Sequence, residues 1–171
     1  RVGYETVEDT MIPMHRIPDI HFFCAGASEG KTELTSFDGA LLKAGIGNTN
    51  LIKMSSILPP FSEEVSAIAI PPGSFLPLAY AAITSSEPGE TISAAVAIAI
   101  PDDRSLNGVI MEHHNHAPLA YVEARVREMA EEAMAMRGIT AFTVKSRGVE
   151  AKVQRVATAF AAVCLWYRDL V

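Results

Sequence analysis

The chain has 171 residues, is 49% hydrophobic and carries a formal net charge of -6. That length holds one domain with a sizeable core and little more. A sequence pI near 5.3, without any run of Lys and Arg, gives no electrostatic basis for holding nucleic acid or an anionic membrane and suits a cationic small molecule.

The chain opens on Arg1, and residues 1–19 are read as an N-terminal extension, with one α/β (α+β) domain over 20–171. Ser36-Phe37-Asp38, then Gly39-Ala40-Leu41-Leu42-Lys43-Ala44 and Gly45, has a capping residue, a short apolar face and a terminating glycine, which predicts a brief helix. Asn50 to Ile57 is apolar in the β-branched style, and Pro59-Pro60 stops any further ladder, so Ser55-Ser56 falls near a strand end. Val65–Ile70, Leu76–Ile83 and Ile92–Ile100 are apolar runs bounded by proline and glycine and read as buried strands. Pro118 to Met136 carries Leu119, Val122, Val126, Met129 and Ala133 at helical spacing, with Gly138 to end the helix. Val153 to Tyr167 fits helix or strand by period. No uninterrupted apolar run reaches the roughly 18 residues of a membrane span, and no basic start leads into an apolar leader segment. Cys24 and Cys164 sit in apolar surroundings, as small buried side chains of a reducing compartment do, with a disulfide the lesser expectation. The expected location is cytoplasmic.

The Ser55-Ser56 pair has the chemistry of a bond cut by its own side chain. A serine hydroxyl can attack the carbonyl before it and move the acyl group from nitrogen to oxygen. The ester then loses its carboxylate by β-elimination, and the dehydroalanine left behind tautomerises and loses ammonia to become a pyruvoyl group. Serine pairs are common in loops, so the surroundings decide. Those surroundings are Ala27-Ser28-Glu29-Gly30, Ser36-Phe37-Asp38-Gly39-Ala40-Leu41-Leu42, Ala44-Gly45-Ile46-Gly47-Asn48 and Ser55-Ser56-Ile57-Leu58-Pro59-Pro60. Pro88-Gly89-Glu90-Thr91-Ile92-Ser93, Gly108-Val109-Ile110-Met111-Glu112 and Ala159-Phe160-Ala161-Ala162-Val163-Cys164-Leu165-Trp166-Tyr167 follow in order. Over residues 20 to 167 the chain resembles the pyruvoyl-dependent arginine decarboxylases.

The resemblance implies a layered αββα sandwich, a homotrimer of self-cleaved protomers, and a strand rather than a helix for the last apolar segment. It implies cleavage between Ser55 and Ser56 into fragments 1–55 and 56–171, a covalent pyruvoyl group from Ser56, and neither pyridoxal phosphate nor a metal. The implied reaction is arginine to agmatine and carbon dioxide, through a Schiff base to that group, as a step of polyamine biosynthesis. Glu112 is the candidate proton donor: it closes an apolar strand, where desolvation raises a carboxyl pKa, and it matches the family's acid. Asn50 matches an asparagine with a processing role, as a donor to the oxyanion of the acyl shift. Asp38 matches the guanidinium-binding position, with helix capping as its competing role. Leu41, Gly47 and Thr49 match the substrate-pocket lining, and Ser55 is expected to stay beside the pyruvoyl group. The rival reading is a non-catalytic or metal-binding relative using Glu112, His113, His114 and His116. Neighbouring histidines on a strand point to opposite faces, which is poor spacing for a metal.

Overall fold

The structure, a computed structural model, describes residues 16–171. Residues 1–15 of the expected extension lie outside it. Residues 16–19 belong to the domain: the Asp19 N–H donates to the Trp166 carbonyl, the Tyr167 hydroxyl donates to the Arg16 carbonyl, and Arg16 pairs with Asp169 at 2.6 Å.

Among the described residues nine strands form two sheets. The first holds β1 (Ile20–Glu29), β2 (Asn50–Lys53), β4 (Glu63–Glu64), β5 (Phe75–Ser85) and β9 (Ala157–Trp166) in the order β2-β5-β9-β1-β4. The second holds β3 (Ile57–Leu58), β6 (Thr91–Pro101), β7 (Gly108–Asn115) and β8 (Phe142–Lys152) in the order β3-β7-β6-β8, antiparallel throughout. Strand alternation sends one set of side chains between the sheets, among them Phe23, Ala81, Ile83, Val96, Ile98, Ile110 and Val163. The other set meets a helix. Helix α1 (Glu33–Ala44) packs through Ala40, Leu41 and Ala44 on Phe22, Leu78 and Phe160. Helix α2 (Leu119–Met136) packs through Val122, Val126 and Met134 on Ala95, Ala97 and Val109. The layers therefore run helix, sheet, sheet, helix. Strands β6 and β9 read as unbroken apolar runs because both of their faces are covered.

Helix α1 starts earlier than Ser36-Phe37-Asp38 suggests. Thr32 is the N-cap, in a capping box with Thr35, and Gly45 ends the helix at φ 84°. Ser36 is instead a buried tie, its hydroxyl 2.7 Å from that of Thr158 on β9. Gly26 lets α1 lie directly on β1, since a Cβ there would collide with the Ala40 carbonyl and the Ala44 nitrogen. The run Val65–Ile70 is not a strand. Parallel pairing of β4 with β1 ends at His21↔Glu64, and after Val65 N–H donates to the His21 carbonyl the chain leaves the sheet toward Pro71-Pro72. Cys24 and Cys164 are free, buried, and 3.7 Å apart at sulfur. No helix among the described residues is long and apolar enough to cross a membrane.

Buried on β1, His21 bonds through Nδ1 to the Ser62 hydroxyl at 2.8 Å, and burial pushes its pKa down from 6.5 to about 4. The unfolded chain takes up this proton near 6.5 and the folded one only near 4. Its contribution is therefore complete above 6.5 and lost as pH falls to about 4, on the order of 3 kcal/mol. Chemical denaturation from pH 7 to 4 should show this slope in the parent and a flatter one in His21→Leu; equal slopes would assign the acid sensitivity elsewhere.

Candidate active site

Between β2 and β3 the chain leaves the edge of one sheet and joins the edge of the other, and Ser55-Ser56 is the passage. The Met54 N–H still donates to Leu78 of β5 at 2.8 Å, while the Ser56 carbonyl already accepts from Ile110 N–H of β7 at 2.8 Å. Backbone anchored on both sides confines the turn to one residue, and Ser56 takes φ 70°. For an L-residue other than glycine this left-handed conformation costs roughly 1–2 kcal/mol. Among the described residues the Ser55 carbonyl accepts no hydrogen bond, so its oxygen is free for a donor from elsewhere.

Held in this conformation, Ser56 donates its hydroxyl to Glu112, 2.9 Å to Oε2 and 3.3 Å to Oε1. Glu112 shares with Ile110 the face of β7 that looks toward the other sheet, beyond the two residues that β3 covers. Burial pushes its carboxyl above the usual carboxylate range, and the Ser56 hydroxyl and the Lys53 ammonium draw it part of the way back. This is a proton acceptor set against a nucleophile-grade hydroxyl.

Ser55 directly precedes Ser56, and the remaining expected site residues lie apart from this pair. Asp38 is on the exposed face of α1 without a hydrogen bond or ion pair among the described residues. Leu41 is buried against the first sheet, Thr49 closes the turn after α1 by donating to the Ile46 carbonyl at 2.7 Å, and Gly47 packs under Leu42. Asn50 donates to the Gly73 carbonyl at 3.1 Å from the far end of β2 relative to Ser56. The histidines separate as strand geometry requires. His113 lies on the opposite face from Glu112, toward Arg125 of α2, and His116 pairs with Glu90 at 2.6 Å. No three His, Cys, Asp or Glu side chains among the described residues come together as metal ligands. Glu90 holds its turn through Ser85 and His116.

Sequence reading assigned Glu112 to the proton transfer of decarboxylation alone and missed its bond to the uncut serine. Nor did it mark Ser56 as conformationally strained, since only the opposed anchors of Met54 and Ser56 create that conformation.

The family model for pyruvoyl-dependent arginine decarboxylase matches residues 20–169. The chain belongs to this family. A pyruvoyl-dependent arginine decarboxylase of Methanocaldococcus jannaschii is 48% identical over 91% of this chain and 96% of its own length. The relative so named in Methanococcus aeolicus is 44% identical over 95% and 100%, and that of Pyrococcus horikoshii 42% identical over 83% and 91%. The family's covalent pyruvoyl group fits residue 56, where a strained serine already has its hydroxyl on a carboxylate.

In Ser56→Ala the hydroxyl donor is gone while desolvation remains, so the Glu112 carboxyl, followed by 13C NMR, should titrate above the ordinary glutamate range. Titration at the ordinary value would remove desolvation as the controlling effect.

Proposed function

We propose that the chain is an arginine decarboxylase that cuts itself between Ser55 and Ser56 and works as a trimer. One observation carries this reading: the Ser56 hydroxyl on the Glu112 carboxylate, at a residue held at φ 70°. In maturation Glu112 accepts the proton as Oγ bonds to the Ser55 carbonyl carbon and returns it to the peptide nitrogen, which leaves as an amine when the C–N bond breaks. The strain at Ser56 is relieved along that path.

Once in place, the pyruvoyl group supplies the electron sink for loss of carbon dioxide from an amino acid. Its formation removes the hydroxyl that had held the Glu112 pKa down, and the carboxyl rises toward the protonated state. The residue that took a proton in maturation is then set to give one to the carbon left by carbon dioxide. No second acid is needed.

Substrate recognition needs a second half-site. Asp38, Leu41, Gly47, Thr49 and Asn50 cluster on α1 and the turn into β2, apart from Ser56 in the protomer. Around the serine pair, Ile52, Met54 and Ile57 expose large apolar surface, and Phe75 does so beside Asn50, as a surface buried by a neighbouring copy does. In the proposed trimer Asp38 of one protomer faces Ser56 and Glu112 of the next. Its carboxylate takes the guanidinium of arginine in paired hydrogen bonds. Asn50 reaches the free Ser55 carbonyl in the same way.

Denaturing mass spectrometry should show two fragments meeting at Ser55/Ser56, the larger with a carbonyl-bearing terminus; intact chain from active protein would end the proposal. Ser56→Ala should stay whole, and Glu112→Gln should cut about 100-fold more slowly and decarboxylate poorly once cut. Parent-like cutting in Glu112→Gln would remove Glu112 as the base. Asp38→Asn should cut normally but raise the arginine KM about tenfold or more. Mixing Asp38→Asn with Glu112→Gln protomers before assembly should restore part of the turnover, and no restoration would place both half-sites in one protomer.

A further inference from the structure

On the face of the first sheet that meets α1, a chain of hydroxyls joins two strands to the helix. Thr84 of β5 and Thr158 of β9 stand directly opposite each other in the strand register. Thr158 is the one hydroxyl on β9, a strand otherwise apolar from Ala157 to Trp166. Its Oγ1 lies 2.6 Å from that of Thr84 and 2.7 Å from Oγ of Ser36 on α1. The cutting and decarboxylation chemistry uses none of these groups.

Their donors can be assigned one after another. Ser36 gives its hydrogen to the Glu33 carbonyl at 2.8 Å, so toward Thr158 it can only accept. Thr158 therefore donates to Ser36 and accepts from Thr84. The chain runs in one direction, from β5 through β9 into the first turn of α1, and Ser36 and Thr158 are both fully buried. Hydroxyls paired in this way add little net stability over methyl groups of the same shape, because burial takes away their bonds to water. What they fix is location.

The rest of the contact between α1 and the sheet is not directional. Gly39 lies against Ser28 of β1, and Gly26 of β1 against Ala40 and Ala44. Side chains this short form shallow ridges, which resist sliding weakly. Phe37 and Leu41 add apolar contact, which sets distance more than orientation. Among the described residues, Ser36 makes the one side-chain hydrogen bond from α1 to a strand. Asp38 lies two residues beyond it, about 200° around the helix. With Ser36 drawn onto β9, Asp38 is turned to the exposed outer face, and any slide or rotation of α1 carries its carboxylate along.

We propose that Thr158, acting through Ser36, is a positioning residue for arginine: the hydroxyl chain sets where α1 holds the Asp38 carboxylate. This rests on the reading of Asp38 as the guanidinium partner. Paired hydrogen bonds to a planar guanidinium tolerate little displacement. Specificity then depends on a sheet residue that never touches the substrate.

The test is kinetic and uses the active, assembled enzyme. Thr158→Val keeps the shape and removes the link; it should cut as the parent does, keep kcat, and raise the arginine KM about threefold or more. Thr158→Ser replaces the hydroxyl and should restore KM. Ser36→Ala, Thr84→Val and Thr158→Val combined leave no unpaired group, so Tm should return toward the parent value while KM stays raised. In an Asp38→Asn background, Thr158→Val should add nothing further. Parent-like KM in Thr158→Val, recovery of KM together with Tm in the triple variant, or a full extra effect on top of Asp38→Asn overturns the proposal. An unchanged KM in Asp38→Asn alone would instead bring down the Asp38 reading, and this inference with it.

Discussion

One stretch of backbone has to serve two sheets. Met54 is bonded into the first and Ser56 into the second, and the two peptide links between them, either side of Ser55, absorb the change of direction. Everything distinctive about the site descends from this. The crossing forces Ser56 into a left-handed conformation, directs its hydroxyl at Glu112, and leaves the Ser55 carbonyl outside both ladders. An insertion that lengthened the crossing would scatter these features without touching a catalytic side chain.

Two helices and most of the long strands are legible in the sequence because their apolar patterns are strong and their ends are marked by glycine or proline. Strand β8 is not. It is an edge strand whose alternate residues face water, so Phe142 to Lys152 has no apolar run to betray it. The Val65–Ile70 run misleads for the opposite reason. Its apolar side chains partly cover the layer under α1 while its backbone has left the pairing with β1, which ends at His21↔Glu64. Ser36 resembles a cap because serine caps helices, yet it serves as a buried link to Thr158.

Within the site, Ser55, Ser56 and Glu112 are readable as a group only through resemblance, since Glu112 is 56 residues from Ser56 and β7 delivers it through pairing with β6. The separation of Asp38 and Asn50 from that group is invisible to sequence, which records matching positions without recording where the fold sets them.

The placement of β1 has a further consequence. Residues up to Ser55 contribute β1, between β9 and β4, and β2, beyond β5, so the shorter piece of a severed chain is threaded through the longer at two separated positions. Ten residue pairs join β1 to β9 alone, so a chain cut as proposed stays joined by its sheet. Melted after such a cut it is two molecules, and its return becomes a bimolecular search between pieces that never had to find each other at birth. On that proposal folding precedes the cut, and heat inactivation of the cut form runs in one direction only.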